Sequence, residues 1–422
     1  VFRRIAAFCP LCYAAMDFDD LEESINAAAP AMTFYAISDV HVEIKNNMEW
    51  LQGLPEDPRG TLLLAGDLGV SCRDVERALR LFKRKYARVF YCFGNHELWA
   101  SSSELKELRV SDSFGKLERL REICHSLGVE TAAALVDGVW VVPIFGWYHE
   151  SWDTEPPLTP AKGMRLAREP NPPERFATDY HMCKWGELQN GSEDLAARLD
   201  QENERWGAWP LPAELLRDAM LPREQRERPI ISFSHFLPRL ELLPEKRFLF
   251  QPNLAKVAGS RWIKRRVDEL RPDVHVFGHT HFAWDMELED GVRYRSWPLG
   301  TEEEQAVRIA FFPTDTCERW LPLKVFDSNG EQSSKEEVCF SAMYNHIPRE
   351  PTSCVMSPHT APIYCPEAPT VSIDVLLPGN REYPKAVRSL YEKERRDKYH
   401  RIWLEYKARN VRKWTEVQTV AA

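Results

Sequence analysis

Short apolar runs rich in β-branched and aromatic residues alternate along this chain with segments of helical periodicity. The first four runs are TFYAIS, TLLLAG, RVFYCF and VWVVPI, and IISFSH and VHVFG follow later. Apolar residues recur at helical spacing over Arg73 to Tyr86, and again over Phe114 to Leu127 behind the N-cap candidate Asp112. Strands that alternate with helices indicate an α/β fold, in which helices pack on a sheet.

The same alternation suggests a domain organisation. We expect an N-terminal extension at residues 1–32 and one domain over residues 33–320. A proline- and tryptophan-rich stretch at about 147–229 breaks the alternation and predicts an insertion over the functional edge of the sheet, helical around Glu193 to Trp206. The runs FAWDMEL, VRYRSW and VRIAFF predict antiparallel strands and therefore a mixed second sheet.

Beyond that domain the composition becomes more polar. Residues 321–384 are rich in Ser, Pro, Asn and Glu, and we expect a poorly ordered linker there. Residues 385–422 are basic and carry apolar residues at helical spacing, so we predict a basic C-terminal helix. Two interpretations of this helix stay open: it docks on a protein partner, or it is a solvated charged helix.

Composition limits the partners and the compartment. The formal net charge of -9 disfavours nucleic acid as a partner. The apolar runs are shorter than the roughly 18 to 20 residues of a membrane-spanning helix, so we expect no membrane span. Ten cysteines without a regular framework favour a reducing compartment, and we predict a cytoplasmic location. Arg3, Arg4 and the apolar run that follows them leave an N-terminal targeting segment open.

Polar motifs directly follow five of the predicted strands. Taken alone, His279 and His281 would be ordinary histidines on a half-exposed strand. Open α/β sheets, however, place their sites at the carboxyl ends of strands, so five such motifs in order predict one shared site. The motifs are Asp39-Val40-His41, Gly66-Asp67, Gly94-Asn95-His96-Glu97, His235, and Gly278-His279-Thr280-His281.

The types of side chain in these motifs indicate the chemistry. Carboxylates, an amide and imidazoles without nearby thiolates suit two adjacent ions from the set Mn, Fe and Zn. Two ions about 3.5 to 4 Å apart lower the pKa of a shared water, which then supplies a hydroxide for attack on a phosphoester. A histidine beside them can protonate the departing alkoxide. The sequence therefore predicts a dinuclear metal centre for phosphoester hydrolysis.

The motif series DVH, GD, GNHE, the single His of SHFLPR and GHTH resembles the calcineurin-like metallophosphoesterase superfamily over about residues 33–312. The phrases WYHESWD, SHFLPR and VFGHTHFAWD resemble a little-characterised group of plant and algal members. The resemblance implies an α/β fold with two mixed β-sheets flanked by helices, in α/β/β/α layers. It also implies the roles of the site residues: one ion on Asp39, His41 and His281, the other on Asn95, His235 and His279, Asp67 as the bridge, and His96 as general acid.

The chain departs from two branches of this superfamily. Protein Ser/Thr phosphatases carry a GDxVDRG run, whereas here Gly66-Asp67 is followed by Leu-Gly-Val-Ser. The Asp that pairs with the catalytic His and the Arg that binds phosphate are therefore both missing from this motif. Purple acid phosphatases replace the first His and add a Tyr ligand, whereas this chain has His41 and Val70. Neither branch is expected.

We predict that the chain hydrolyses a small phosphomonoester or phosphodiester by attack of a metal-bridging hydroxide. Two residues are candidate substrate contacts. His149 follows the fourth predicted strand near the site, and Arg239 follows His235 closely enough to reach a phosphate. Their alternative roles are those of a surface loop residue and a salt bridge. Two other functions stay open. One is a nuclease, which the net charge disfavours, and the other is a catalytically silent scaffold for protein partners, disfavoured because every ligand position is filled.

Overall fold

The computed structural model describes residues 32–160, 163–302, 304–305, 321–335, 339–345, 348–357 and 360–368. The predicted N-terminal extension, the run VRIAFF and the predicted C-terminal helix lie outside these residues. The strands are β1 (Thr33–Ile37), β2 (Asp57–Ala65), β3 (Tyr86–Cys92), β4 (Ala134–Val136), β5 (Val139–Pro143), β6 (Ile230–Phe233), β7 (Val274–Phe277), β8 (Trp284–Glu287), β9 (Arg293–Ser296) and β10 (Leu323–Asp327).

Helices connect these strands, and five of the described α-helices lie in the segment predicted as an insertion. The α-helices are α1 (Lys45–Gly53), α2 (Cys72–Lys85), α3 (Ser102–Leu108), α4 (Ser113–Leu127), α5 (Pro173–Phe176), α6 (Asp179–Met182), α7 (Glu193–Asp200), α8 (Glu202–Arg205), α9 (Ala213–Met220), α10 (Arg261–Leu270) and α11 (Ala361–Tyr364). Short 3₁₀ helices lie at His96–Leu98, Glu150–Trp152, Arg223–Gln225, Leu240–Leu242, Lys246–Phe248, Pro252–Val257 and Phe340–Asn345. None of the described helices is both long and apolar enough to cross a membrane.

The strands form two sheets. The first has the order β10-β1-β2-β3, with β1, β2 and β3 parallel, and the second has the order β4-β5-β6-β7-β9-β8, with β5, β6, β7 and β9 parallel. Strand β8 pairs antiparallel with β9, and β4 with β5. Both sheets are mixed, which confirms the predicted mixed second sheet.

Alternation along the strands builds the layers, because successive side chains of a strand point to opposite faces. In β2, Leu63 and Ala65 join a core cluster that also contains Val141 and Val276 of the second sheet. Leu62 and Leu64 join a different cluster, together with residues of the helices. Helices therefore cover the outer faces of two sheets packed on each other, as the α/β/β/α prediction required.

Two helices illustrate how local sequence sets the boundaries. Asp112 caps α4 by accepting a hydrogen bond from the Gly115 backbone at 2.9 Å, which confirms the predicted N-cap. Gly128 ends the same helix with a positive φ of 63°. The Ser71 side chain caps α2 by accepting from the Asp74 backbone at 3.0 Å. Helix α2 starts directly after the loop that carries Asp67, so its N-cap also fixes the end of that loop.

The expected linker at residues 321–384 is wrong at its start. Strand β10 pairs antiparallel with β1, and Leu323 and Val325 are buried between the two sheets. The run LKVFD is mostly apolar, but the polar composition of the residues around it outweighs so short a run. An edge strand of five residues is long enough to complete a sheet and too short to dominate a composition window.

Candidate metal centre

The five polar motifs meet where the two sheets adjoin. Asp39, Asp67 and Asn95 follow the parallel strands β1, β2 and β3, whereas His235 and His279 follow β6 and β7 of the second sheet. The loops are tied together by backbone hydrogen bonds, from Asp39 N to Gly66 O at 3.0 Å and from His41 N to Asp67 O at 3.0 Å. The site therefore sits at the carboxyl ends of strands from both sheets, as α/β architecture favours.

The loops carry unusual backbone conformations. Few described residues other than glycine have a positive φ, and five of those that do are predicted ligands. Such conformations cost on the order of 1 kcal/mol or more for a side chain with a Cβ and persist where the surrounding structure imposes them. The five, with φ between 48° and 72°, are Asp39, His41, Asp67, His279 and His281. The fold thus holds most of the predicted ligands in strained loop positions.

Two of the three groups of ligand-type side chains among the described residues share Asp67, and the third consists of His41, Glu43 and His96. Asp39, His41, Asp67 and His281 each offer an atom within 4.8 Å of the others, and so do Asp67, His235 and His279. The Oδ1 atom of Asn95 lies 3.0 Å from a ring nitrogen of both His235 and His279. The division of the groups, with Asp67 in both, matches the two coordination sets that the resemblance implied. His279 and His281 fall in different groups.

In the group that contains His235 and His279, the hydrogen-bond partners of the side chains show that several acceptor atoms face a common point. The Nδ1 atom of His235 faces the carbonyl oxygen of Ala65 at 2.9 Å, so it carries a proton, and Nε2 is an acceptor once a metal ion displaces any proton from it. Asn95 donates its amide to Asp179, so its oxygen faces His235. Acceptors that face each other in a buried place need a cation, and the residues therefore fit a metal ion.

The first group shows the same signature. The Nε2 atoms of His41 and His281 lie 3.1 Å apart. Their Nδ1 atoms face carboxylates, Glu43 at 3.2 Å and Glu304 at 2.6 Å, which orients the protons away from the centre. Glu304 is held in turn by the Thr301 backbone amide at 2.7 Å. This carboxylate and histidine arrangement is the one that commonly supports metal-binding imidazoles.

The electrostatics of the centre favour positive charge. Burial opposes ionisation of Asp67, but the fields of His235 and His96 hold its pKa well below the usual range. Burial likewise opposes protonation of His235, yet Asp67 raises the pKa of His235 to about 9. Burial also works against ionisation of Glu43, whereas hydrogen bonding to His41 lowers its pKa to about 2. A region that attracts protons so strongly also attracts metal cations, which compete with protons for the same lone pairs.

His96 lies at the edge of the centre. Its backbone amide donates to Asp67 Oδ1 at 3.0 Å, and its Nε2 lies 3.8 Å from Asp67 Oδ2. Its Nδ1 lies 3.8 Å from Glu43, and its ring stacks on Trp99 with centroids 3.7 Å apart. The imidazole is partly exposed, unlike the buried His41 and His235. It is placed to meet a molecule that enters from solvent.

Glu97 stabilises the loop that carries Asp67. Its buried carboxylate accepts backbone hydrogen bonds from Asp67 at 3.1 Å, Leu68 at 2.5 Å, Gly69 at 3.2 Å and Gly94 at 2.7 Å. Four donors around one carboxylate fix two neighbouring strand-end loops relative to each other. Glu97 supports the centre through the backbone of these two loops and belongs to none of the groups of ligand-type side chains.

The two predicted substrate contacts are engaged elsewhere. The ring of His149 is buried and bonded at both nitrogens, to the Ser151 hydroxyl at 2.8 Å and to the Arg261 backbone amide at 3.2 Å. The guanidinium of Arg239 pairs with three carboxylates, Glu241 at 2.8 Å, Asp290 at 2.9 Å and Glu289. These contacts correspond to the structural alternatives for both residues, and neither belongs to the site described here.

Three supporting acids escaped the sequence analysis: Glu43, Asp179 and Glu304. Only Glu43 left a signal, because it lies two residues after His41 in the loop that follows β1. Asp179 and Glu304 lie 84 and 23 residues from the side chains that they contact, Asn95 and His281. No short motif connects residues so far apart in the chain, so only the folded structure reveals these contacts.

Two β-sheets between helices, with carboxylate, amide and imidazole side chains gathered at their strand ends, are the arrangement of a metal-dependent hydrolase. The chain belongs to the calcineurin-like phosphoesterase family, whose model matches residues 32–283. It is accordingly a metal-dependent phosphoric ester hydrolase.

Among curated proteins, the chain is similar to the acyl-carrier-protein phosphodiesterase PptH of Mycobacterium tuberculosis. The two are 30% identical over 286 residues, which cover 64% of this chain and 79% of that protein. Solved structures that resemble it include phosphopantetheinyl hydrolase (PptH) from Mycobacterium tuberculosis, with 22% identity, a TM-score of 0.46, and coverage of 65% of this chain and 91% of that one. A dimetal phosphatase from Danio rerio has 13% identity, a TM-score of 0.27, and coverage of 64% and 87%.

Proposed function

We propose that the chain hydrolyses a phosphodiester at a dinuclear metal centre, and that its substrate is a phosphodiester of an acyl-carrier protein. The observation that carries the proposal is the position of Asp67, which belongs to both groups of ligand-type side chains. A carboxylate shared by two groups is the arrangement that holds two ions side by side. Two ions from the set Mn, Fe and Zn, when bound, lower the pKa of water and polarise phosphoryl oxygens.

The ligands in this proposal are the seven residues that the sequence indicated. Asp39, His41 and His281 hold one ion and Asn95, His235 and His279 the other, with Asp67 between them. The surrounding carboxylates of Glu43 and Glu304 face Nδ1 of His41 and His281, so in the neutral rings Nε2 is the nitrogen free to coordinate. The protein therefore prepares the donors before any substrate arrives.

His96 is the proposed general acid. It is a partly exposed imidazole that belongs to neither set of proposed ligands, and Trp99 and Glu43 restrict its ring on two sides. From this position it can protonate the oxygen of the leaving alkoxide, which would otherwise depart as a poor leaving group. The motif that pairs the catalytic histidine with an aspartate in protein phosphatases is missing here, and Glu43 and Asp67 are the carboxylates nearest to the His96 ring nitrogens.

The charges around the site favour a diester over a monoester. Glu43, Asp179 and Glu304 add negative charge beside the ligands, and the cation predicted to meet a phosphate, Arg239, pairs with three carboxylates instead. A diester carries one negative charge and a monoester about two at neutral pH, so the monoester is repelled more strongly. The name of the relative that is 30% identical, an acyl-carrier-protein phosphodiesterase, supports the same class of substrate.

The test combines metal content with turnover. Purified protein is analysed by inductively coupled plasma mass spectrometry and assayed with bis(p-nitrophenyl) phosphate, p-nitrophenyl phosphate, short single- and double-stranded DNA, and acyl-carrier protein that carries phosphopantetheine. We expect two equivalents of metal, faster cleavage of the aryl diester than of the monoester, and release of phosphopantetheine. Two equivalents of metal without turnover of any ester would overturn the proposal in favour of a scaffold.

Three variants sharpen this test. Asp67→Asn is expected to lower metal content, since an amide bridges two cations poorly. His96→Ala is expected to retain both ions and to lower kcat by about 10² to 10⁴, the usual contribution of a general acid. His125→Ala is the matched control, because His125 is exposed near the end of α4 and belongs to none of the ligand-type groups.

A further inference from the structure

One carboxylate of the inserted segment reaches into the metal centre. Asp179 begins the short helix α6 and is only 3% exposed. Its Oδ1 atom accepts two hydrogen bonds, one from the Asn95 side-chain amide at 2.9 Å and one from the Trp99 indole at 2.6 Å. Both donors lie between β3 and α3, so one buried oxygen of the insertion contacts two side chains at the centre.

The bond to Asn95 decides which end of that amide faces the ligands. The nitrogen is held by Asp179, and the oxygen therefore points to His235 and His279 at 3.0 Å from each. With the amide reversed, two N–H groups would point to the place where acceptors converge, and a cation would be repelled. Asp179 thus selects the orientation in which Asn95 can be a ligand.

The bond to Trp99 acts on the other functional side chain. The indole stacks on the His96 ring with centroids 3.7 Å apart and an interplanar angle of 29°. A stacked ring can shift sideways unless its own position is fixed, and the bond from the indole N–H to Asp179 supplies that restraint. The same oxygen therefore orients Asn95 directly and His96 through Trp99.

Backbone contacts hold Asp179 in register with this loop. Ala100 N donates to Met182 O at 2.8 Å, and Ser113 N donates to Lys184 O at 2.9 Å. The Asn190 side chain donates to the carbonyl oxygen of Asp179 at 3.0 Å. These bonds pin the inserted segment onto the residues between β3 and α4, so the carboxylate has little freedom to leave.

We propose that Asp179 is a positioning residue through which the insertion completes the active site. It orients Asn95 for metal binding and His96 for proton transfer, and it touches neither substrate nor metal itself. The part that concerns turnover rests on the proposed function. The part that concerns metal affinity does not, because it is read without any substrate.

The test compares three substitutions of this residue. Asp179→Asn keeps an oxygen that accepts from both donors, whereas Asp179→Leu removes it and Asp179→Ser is too short to reach both. We expect the Leu and Ser variants to bind the second equivalent of Mn²⁺ at least about tenfold more weakly, measured by calorimetric titration of the metal-free protein. The Asn variant should stay within about threefold of wild type, and Asp194→Asn, at an exposed acid of the same insertion, should not differ from it.

Turnover of bis(p-nitrophenyl) phosphate gives the second readout. The Leu and Ser variants should lose kcat at saturating Mn²⁺ with little change in KM, since His96 is misplaced while the pocket is intact. Trp99→Phe keeps the stacked ring but loses the indole donor, and it should lower kcat without weakening the metal. Wild-type Mn²⁺ affinity in both the Leu and Ser variants would overturn the role toward Asn95. Wild-type kcat in both would overturn the role toward His96.

These outcomes separate the inference from the proposed function. If the wild type turns over no phosphoester, the proposed function fails, and the Mn²⁺ titration still decides whether Asp179 orients Asn95. If the Leu variant fails to fold, as judged by circular dichroism, the Ser and Asn variants carry the comparison.

Discussion

Gly94 lies directly against Asp67. A methyl group at position 94 would come within 2.6 Å of the Asp67 backbone nitrogen and 2.9 Å of its Cγ, closer than carbon atoms approach without moving a neighbour. The loop after β3 can therefore pass the loop after β2 only because residue 94 has no side chain. The Asp67 carboxylate can occupy its position partly because residue 94, which packs against it, is a glycine.

Gly94→Ala is expected to displace Asp67 and with it the metal centre. We expect metal content to fall below one equivalent and the free energy of unfolding to fall by about 1 to 3 kcal/mol, the usual cost of overpacking. Plasma mass spectrometry and denaturant unfolding measure the two effects. Gly138→Ala is the control for metal content, because no atom lies within 4 Å of the added methyl, and its φ of +78° lowers stability through backbone strain alone. A Gly94→Ala protein with two equivalents of metal would contradict the steric argument.

Glu97→Gln is expected to destabilise the loops beneath the centre. The carboxylate accepts four backbone hydrogen bonds, and the glutamine amide replaces one acceptor oxygen with a donor that faces N–H groups. Unsatisfied buried donors should lower the free energy of unfolding by about 3 kcal/mol. Urea unfolding of the metal-free protein measures it, with Glu107→Gln, a member of an exposed ion pair, as the control. Equal stability of the two variants would show that the four bonds contribute little.

His279→Ala and His281→Ala are expected to remove different ions. The two histidines lie in separate groups that share Asp67, so each substitution should leave about one equivalent of metal and the double variant close to none. Metal content after dialysis measures the stoichiometry. If each single variant lost both ions equally, the division of the two histidines between neighbouring ions would be wrong.

His275 is a buried strand residue, and its neutral form is fixed by its neighbours. The Ser234 hydroxyl donates to the Phe236 carbonyl at 2.8 Å, so it accepts from the His275 Nε2 proton at 3.0 Å. The Nδ1 atom then accepts from the Ser232 hydroxyl at 2.8 Å. Burial lowers the pKa of His275 to about 3, against about 6.5 for an exposed histidine.

Stability should therefore fall in acid because of this residue. A histidine with a lowered pKa in the folded state is protonated first in the unfolded chain, so its contribution is full above about pH 6.5 and declines as the pH falls toward 3. Between pH 8 and pH 5 the loss should be about 2 kcal/mol. His275→Gln has no titrating group there, so the drop in its unfolding free energy between these two pH values should be smaller by that amount. An identical drop in both proteins would contradict a neutral His275.

Much of the fold and the site could be predicted from local sequence. Strand runs such as TLLLA alternate between two buried faces, and the residues that follow a strand must lie at its end, so Asp67 and Asn95 were placed at one edge without any knowledge of the packing. The family resemblance of these motifs then implied two metal sets, and the structure brings the same side chains close together. The glycines before Asp67, Asn95 and His279 signalled the crowding that the structure shows at Gly66, Gly94 and Gly278.

Contacts between distant segments could not be predicted in this way. Arg239 follows His235 by four residues and looked close enough to reach a phosphate, but the β8–β9 turn brings Glu289 and Asp290 to its guanidinium. Strand β10 lies in a polar segment and could not be recognised there, because it pairs with β1, about 290 residues earlier in the chain. Thr33, for example, pairs with Asp327. Pairing energy comes from the partner, and local composition does not record it.

The sequence by itself determined which side chains meet at the candidate metal centre, because each of them lies just after a strand whose apolar pattern is local. Only the tertiary structure decided how those ligands are oriented. Asp179 orients Asn95 and Glu304 orients His281 through hydrogen bonds. Both acids come from segments that tertiary packing brings to the centre. A strand end fixes where a side chain starts, whereas its rotation depends on hydrogen-bond partners that only the folded chain brings near.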